Sequence, residues 1–211
     1  YLVILTIKDC EYVCNYIREG GDKENFLHKF RDAYSPGFDP DEHLKKIGVA
    51  NQTTMLKGET EEIQKKLYEA IKDRDEELAK DHFQFFDTIC GATQERQDAL
   101  YEMLKLEMDM LLVVGGYNSS NTTHLVEIGE EKIPSFFIRN AKCLESFEQI
   151  VHFDLEKKIE KTTYSGNFFN NNRQITIGVT AGASCPNNLI EETILRIFEI
   201  RGHDIGELNS V

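Results

Sequence analysis

Three predicted strands run directly into short loops rich in Ser, Thr and Asn, and each loop opens a predicted helix. The loops cover residues 51–54, 118–123 and 181–184. In open α/β sheets, ligands bind at the carboxyl ends of strands, where helix N-termini offer free N–H groups and a positive dipole end. None of the three loops contains a carboxylate, although the chain has a net charge of −13. The pattern favours a phosphate or diphosphate site built from dipoles and hydroxyls.

Two simpler explanations compete with an anion site at these loops. Ser, Thr and Asn are favoured N-caps, so each loop would serve only to begin its helix. Asn51, Asn118 and Asn121 also each open an N-x-[ST] sequon, the acceptor pattern for N-glycosylation. Because the three loops follow equivalent strand ends, and because 118–123 is polar at every position, we interpret them as one shared anion site.

Cys90 is distinguished from the other cysteines by its position in the sequence. It follows a strand predicted over 82–87 and precedes a helix predicted from about Thr93 to Leu106. A thiolate at a helix N-terminus has a lowered pKa and is a good metal ligand or nucleophile. Position alone leaves a metal ligand, a nucleophile and a core cysteine open. Phosphate-ester hydrolysis by Cys90 is disfavoured, because no Arg-rich phosphate loop follows it.

The remaining cysteines and the nearest histidine receive structural interpretations. Five cysteines at irregular spacing are not a secreted disulfide framework, and they favour a reducing compartment. Cys10 and Cys14 lie on the apolar face of a predicted helix, so we interpret them as buried core residues. His124, just past the polar loop, is interpreted as a surface or capping histidine.

Strands and helices alternate along the chain, which predicts an α/β fold with mostly parallel strands and crossover helices. A boundary near residue 80 divides a first domain over 1–80 from a second over 81–202, and a tail follows at 203–211. A surface loop is predicted over 33–42 and an irregular, Asn-rich insertion over 152–174. The predicted strands are 1–6, 47–50, 82–87, 110–114, 135–138 and 175–180, and the last predicted helix is 187–200.

Composition excludes several classes of function. The chain has 211 residues, and its 40% hydrophobic and 29% charged residues are ordinary for a globular protein. An excess of acidic over basic residues disfavours nucleic acid as a partner. No apolar run approaches 18 residues, so no membrane span is predicted. Because the sequence opens at Tyr1 within an apolar stretch, we expect further residues, including any targeting signal, to precede it.

Four motifs, in order along the chain, resemble the LytB family of 4-hydroxy-3-methylbut-2-enyl diphosphate reductases. They are the segments 49–56, 87–99, 112–125 and 177–186. The resemblance spans about residues 1–202, and the segments 33–42 and 51–58 are similar to the plant and cyanobacterial branch. The family acts last in the methylerythritol phosphate route to isoprenoids, so the resemblance implies an oxidoreductase.

The resemblance implies a trefoil of three α/β units around a central [4Fe–4S] cluster, which is held by three cysteines, one from each unit. Cys90 matches one of these ligands, and Thr53 matches the threonine near the substrate hydroxyl. The residues that match the diphosphate-binding set are Ser119, Ser120, Asn121 and Ser184. Gln52 and Thr54 flank Thr53 and are expected to bind substrate. We therefore expect Cys90 to face the same cavity as Ser119 and Ser184.

The implied reaction removes the allylic hydroxyl with two electrons and two protons, giving isopentenyl and dimethylallyl diphosphate. A ferredoxin-type electron donor is implied, in a plastid stroma or a cyanobacterial-type cytoplasm. The chain matches only the carboxyl-terminal half of a family member. The absent amino-terminal half, the principal expected partner, would carry the other two cluster cysteines, the pocket histidines and a proton-supplying glutamate. An alternative is a split or degenerate, non-catalytic subunit of a larger assembly that keeps a diphosphate-binding fold.

Overall fold

The computed structural model describes residues 1–165, 168–169 and 174–203. The chain forms two compact units, Tyr1–Ile89 and Cys90–Val211. They divide after Ile89 rather than near residue 80, because the strand that follows residue 80 pairs within the first unit. Most of the predicted 203–211 tail lies outside the described residues.

The first unit packs helices against a small parallel sheet. Its helices are α1 (Ile7–Glu19), α2 (Lys23–Lys29), α3 (Pro40–His43), α4 (Lys57–Arg74) and α5 (Ala79–His82), and its strands are β1 (Ile47–Ala50) and β2 (Phe83–Phe86). The two strands are parallel, with Ile47 opposite Phe83 and Ala50 opposite Phe86. The core lies mainly between α1 and α4 and includes the buried Cys10, Cys14 and Ile71.

The strand predicted over 1–6 is wrong. The segment makes only an isolated antiparallel bridge, between Leu2 and Tyr34. Leu2 and Ile4 pack on the core, and Thr6 then begins α1 by accepting the N–H of Asp9 at 3.1 Å. The predicted 33–42 loop contains the start of α3, whose first turn has a proline at the position where a missing N–H is tolerated.

The second unit is built on a sheet with strand order β5-β6-β4-β3-β8, and β7 pairs with β6. The strands are β3 (Met110–Val114), β4 (Ser135–Ile138), β5 (Leu144–Ser146), β6 (Gln149–Asp154), β7 (Ile159–Tyr164) and β8 (Ile177–Ala181); the helices are α6 (Gly91–Met103), α7 (Ser120–Glu130) and α8 (Asn187–Ile200). A 3-10 turn covers Ala141–Cys143.

The centre of this sheet is parallel. Val114 of β3 lies opposite Ile138 of β4 and Ala181 of β8. Every residue of β3 is buried, as expected for a parallel strand covered on both faces. The predicted α/β class is therefore confirmed, and the carboxyl ends of β3 and β8 lie side by side.

The other half of the sheet corrects the prediction of mostly parallel strands. β6 pairs antiparallel with β4, β5 and β7, so the sheet is mixed. The region predicted as irregular from residue 152 contains most of the β6–β7 hairpin. The alternation of apolar and polar residues that marks a strand is weak in β7, because every residue of β7 except Thr163 is exposed and the strand has no apolar face. Residues 166–167 and 170–173, with most of the Asn-rich stretch, lie outside the described residues.

Among the described residues, no helix has both the length and the apolar character needed to span a membrane.

His152 of β6 makes the stability of the second unit depend on pH. Its side chain is buried, 2.8 Å from the Thr163 hydroxyl and edge-on to Phe136. Burial lowers the pKa of His152, and Lys161 adds to the effect. As pH falls below about 6.5, the unfolded chain therefore binds a proton that the folded chain resists, and the free energy of unfolding decreases.

We expect His152→Gln to reduce the loss of stability between pH 7 and pH 5 in urea unfolding experiments. The contribution of His152 to the slope of the unfolding free energy against pH is at most about 1.4 kcal/mol per pH unit, the value for one bound proton. His28→Gln, at an exposed position on α2, is the matched control and should keep the wild-type slope. Identical pH profiles for His152→Gln and the wild type would contradict this role.

Candidate functional site

The candidate site of the second unit lies where β3 and β8 end together. Gly182 follows β8, and its N–H donates to the carbonyl of Val114 at 3.2 Å. Gly115 follows β3, and its N–H donates to the carbonyl of Ile138 at 3.0 Å. The backbone that leads to α7 and the backbone that leads to α8 therefore leave the sheet as neighbours, which is the arrangement that ligand sites of α/β sheets use.

The polar segment 118–123, predicted as a loop, is mostly helical. Ser119 is the N-cap of α7, and its hydroxyl accepts the N–H of Thr122 at 3.3 Å. Ser120 and Asn121 lie in the first turn, which contains no acidic residue. The segment therefore presents hydroxyl and amide groups at the positive end of a helix dipole, a suitable environment for an anion.

A close approach between Gly182 and Thr122 packs the loop after β8 against this helical turn. A Cβ atom added at Gly182 would lie 2.1 Å from Thr122 Oγ1 and 3.6 Å from Ser119 Oγ. Gly115 is also tight, since a Cβ there would lie 2.7 Å from Thr122 Oγ1. Thr122 is therefore enclosed by two glycines, and the loop that carries the exposed Ser184 begins directly beside Ser119.

Asn121 carries an unpaired polar group inside the protein. The residue is 5% exposed, and both its amide nitrogen and its amide oxygen lack a hydrogen-bond partner among the described residues. The hydroxyl oxygen of the next residue, Thr122 Oγ1, is also buried and also lacks a hydrogen-bond partner among the described residues. An unsatisfied buried polar group costs roughly 1–3 kcal/mol, so such groups are rare unless something else binds them. The Asn121 amide fits a site whose ligand supplies the missing hydrogen bonds.

Helix capping explains only part of the polar pattern. Ser119 caps α7 with its side chain, but the N-cap residues of α4 and α8 are Leu56 and Pro186, and neither helix has a side-chain cap hydrogen bond. The hydroxyls of 51–54 and 181–184 are therefore not used as N-caps. Glycosylation is disfavoured at Asn121 because its amide is buried. His124 is half-buried, with its Nδ1 2.7 Å from Glu127 Oε2 and its Nε2 3.5 Å from the Ser120 hydroxyl, so its interpretation as a surface or capping histidine stays a prediction.

Cys90 is the N-cap residue of α6 and is exposed. The helix begins at Gly91 rather than at the predicted Thr93, and the Cys90 carbonyl accepts the N–H groups of Thr93 and Gln94. No acidic residue lies in the first turn of α6. The thiol is therefore accessible at the N-terminus of a helix. Its approach to Ser119 and Ser184 stays a prediction.

The other four cysteines are poorly placed to bind metal. Cys10, Cys14 and Cys143 are buried, and the Cys10 and Cys14 sulfurs lie 3.8 Å apart. The hydrogen bond with Cys14 and then burial raise the pKa of Cys10, and burial raises the pKa of the half-buried Cys185. The described residues contain no group of three His, Cys, Asp or Glu side chains arranged to hold a metal. Cys90 therefore fits a cluster only as one ligand among several.

The 51–54 loop belongs to the first unit. Gln52 and Thr53 are exposed and Thr54 is half-buried, in a turn in which the Gln52 carbonyl accepts the N–H of Met55. Thr88 fixes the start of the turn: its hydroxyl accepts the Asn51 N–H at 2.9 Å and donates to the Asn51 carbonyl at 2.6 Å. The roles of Thr53 and its neighbours stay predictions.

Sequence reasoning missed Thr88 and Thr122. Both are short hydroxyl residues inside the recognised motifs, but neither spacing nor type separates them from their neighbours. The glycines at 115 and 182 were the one available signal for Thr122, because glycine at a strand end often marks a close backbone approach.

Comparison with known proteins shows the family. Residues 12–198 match the model of the LytB protein family. A 4-hydroxy-3-methylbut-2-enyl diphosphate reductase from Gloeobacter violaceus is 49% identical over 210 residues, which cover 98% of this chain and 49% of the relative. One from a Cyanothece species is 46% identical over 204 residues, covering 95% of this chain and 49% of the relative. The chain therefore belongs to the LytB family, and it spans about half the length of the curated relatives it matches.

Solved structures give a weaker comparison. The E-1-hydroxy-2-methyl-but-2-enyl-4-diphosphate reductase from Plasmodium falciparum is 21% identical, with a TM-score of 0.49 over 83% of this chain and 43% of that chain. A TM-score below 0.5 adds nothing to the assignment, which rests on sequence.

The contact between Gly182 and Thr122 yields a direct prediction. Gly182→Ala should destabilise the second unit by about 1–3 kcal/mol, because the new methyl group overlaps the buried, β-branched Thr122. Gly116→Ala is the matched control: a Cβ there meets nothing within 4 Å. We expect its effect to stay within about 0.5 kcal/mol. Urea unfolding measures both variants, and equal stability of the two would show that the close approach is absent.

Proposed function

We propose that this chain is the carboxyl-terminal part of a 4-hydroxy-3-methylbut-2-enyl diphosphate reductase and that it binds the diphosphate of the substrate. The observation that carries the proposal is the buried, unpaired amide of Asn121 in the first turn of α7. Family membership supports the activity, since the matched relatives bear this name.

The diphosphate is held by neutral donors in this proposal. Asn121 donates from its amide nitrogen, and Ser119, Ser120 and Ser184 donate from hydroxyls. Backbone N–H groups at the start of α7 add the helix dipole. The absence of carboxylates from the first turns of α6, α7 and α8 removes the nearest sources of repulsion within those helices. Hydrogen bonds to a charged group are about twice as strong as neutral ones, so four such donors position the substrate firmly.

Thr53 is proposed to act at the hydroxyl end of the substrate, with Gln52 and Thr54 binding beside it. The support is the resemblance of segment 49–56 and the exposure of the Thr53 side chain. Thr88 contributes indirectly, because it fixes both backbone hydrogen-bonding groups of Asn51 at the start of the turn.

Cys90 is proposed to be one thiolate ligand of a [4Fe–4S] cluster. The support is the resemblance of segment 87–99 to the family and the exposure of Cys90 at the N-terminus of α6. When bound, the cluster supplies the electrons and a Lewis-acidic iron for removal of the hydroxyl as water. Such clusters take several cysteines, so the remaining ligands come from outside this chain.

The amino-terminal half of the complete protein is the proposed source of those ligands. The chain covers 49% of its relatives, so about half of each relative has no counterpart here. Together the two parts would form the three-unit trefoil. The cyanobacterial relatives support a cyanobacterial-type cytoplasm as the location. A plastid stroma and a ferredoxin-type electron donor are proposed from the family resemblance alone.

Three alanine substitutions test the diphosphate site in the complete protein. Ser119→Ala, Asn121→Ala and Ser184→Ala should each weaken substrate binding by about tenfold to a hundredfold, the equivalent of roughly 1.5–3 kcal/mol for a lost hydrogen bond to a charged group. Thr162→Ala removes an exposed hydroxyl of β7 and is the control. Isothermal titration with the allylic diphosphate measures each affinity. Wild-type affinity in all three variants would refute the site.

The isolated chain tests the cluster assignment. After anaerobic iron–sulfur reconstitution, these 211 residues alone should stay colourless and inactive, because Cys90 is only one of the three cysteines that the cluster is expected to need. Adding the amino-terminal half of a cyanobacterial relative should produce a brown cluster and reductase activity, and Cys90→Ser should abolish both. A stable cluster with turnover from the chain alone would overturn the ligand count. A mixture that binds substrate but never acquires a cluster would favour a non-catalytic subunit.

A further inference from the structure

Tyr117 lies in the connection between β3 and α7, two residues before the N-cap Ser119. Its ring stacks on Phe153, with centroids 4.5 Å apart and planes inclined by 20°, and it meets Phe137 edge-on at 5.0 Å. Its hydroxyl donates to Glu160 Oε1 at 2.8 Å. The connection that leads into the candidate anion site is therefore attached to the opposite, antiparallel half of the sheet.

Besides the Cys143 sulfur, which lies 4.0 Å from its hydroxyl, Tyr117 contacts three residues that form a single row across the sheet. Phe153 of β6 is opposite Phe137 of β4 on one side and opposite Glu160 of β7 on the other. Arg139, just after β4, places its Nε 3.4 Å from the same Glu160 oxygen. The ring and the hydroxyl of Tyr117 are therefore held by neighbouring strands in register, and Glu160 is itself held by a cation.

The hydroxyl of Tyr117 stays a donor. Burial and the Glu160 carboxylate raise the pKa of Tyr117 well above its ordinary value, so the proton remains on the phenol throughout the physiological range. The glycines at 115 and 116 have no side chain, and Tyr117 is the first residue after β3 that can pack. Two residues after Tyr117, the Ser119 N–H donates to the Gly116 carbonyl at 2.9 Å, so the backbone between Tyr117 and α7 is short.

We propose that Tyr117 is a positioning residue for the anion site. It anchors the β3–α7 connection to the β6–β7 hairpin through Phe153 and Glu160, and so holds the first turn of α7 in the conformation that presents Asn121. Tyr117 acts through this backbone and is not itself a ligand of the anion. The inference rests on the proposed function, because it deepens the account of the same diphosphate site.

Inorganic pyrophosphate is the probe, and ³¹P NMR titration of the chain at fixed ionic strength gives its affinity. Loss of the anchor lowers the population of the binding-competent loop, so Tyr117→Ala should weaken binding about tenfold and Tyr117→Phe, which keeps the stack, about threefold. Glu160→Gln should stay within about twofold, because its amide oxygen still accepts the hydroxyl. Tyr164→Ala, on the same hairpin but 70% exposed, is the control and should bind as wild type.

A second readout separates positioning from general stability. Without ligand, amide hydrogen exchange at residues 117–121 should be faster in Tyr117→Ala and Tyr117→Phe, while exchange within β3 and β8 is unchanged. Should Tyr117→Ala fail to fold, Tyr117→Phe decides by the same two measurements.

The possible results separate this role from the proposed function. Wild-type affinity and exchange in Tyr117→Phe and Tyr117→Ala, together with weakened binding in Asn121→Ala, would overturn the positioning role and leave the diphosphate site standing. No binding of pyrophosphate by the wild-type chain would overturn both.

Discussion

The second unit depends on one close approach, that of Gly182 to Thr122. Because β3 and β8 are parallel neighbours, the backbones beyond Val114 and Ala181 leave the sheet side by side. Only a residue without a Cβ atom fits at 182, where such an atom would be 2.1 Å from Thr122 Oγ1. The loop after β8 therefore lies against the first turn of α7. That turn carries Asn121, so the same packing that orders the strand ends also orders the candidate site.

Much of the fold follows from short-range patterns. The strands predicted over 47–50, 110–114 and 135–138 and the helix predicted over 187–200 are confirmed to the residue. Each of these three strands is a short apolar run, and the helix opens after a proline that stops the preceding segment. The 1–6 segment has the same apolar character but forms no ladder. Its one bridge is to Tyr34, and apolar residues alone do not supply a pairing strand.

The β6–β7 hairpin and the details of the site depend on long-range contacts, which sequence patterns do not contain. β7 is polar along most of its length, so only its pairing with β6 defines it. The polar loops and Cys90 were identified from residue type and position. The burial of Asn121 and the bond between Tyr117 and Glu160, 43 residues apart, emerge only when the strands are assembled. The α7 start was placed too late, because a polar first turn resembles a loop.

The net negative charge of the chain explains why its anion site would be made of neutral hydrogen-bond donors. With a net charge of −13, the protein repels anions at long range, and salt screens that repulsion. Binding must therefore come from short-range donors where carboxylates are excluded, as at the start of α7. A site made of amides and hydroxyls should lose little affinity as salt rises, unlike one made of lysines. The most direct test of the anion site is backbone and side-chain amide NMR during a titration with inorganic pyrophosphate. We predict shifts concentrated at residues 119–122 and 182–184 and at the Asn121 side-chain amide. Shifts confined to other parts of the chain, or none at saturating pyrophosphate, would contradict it.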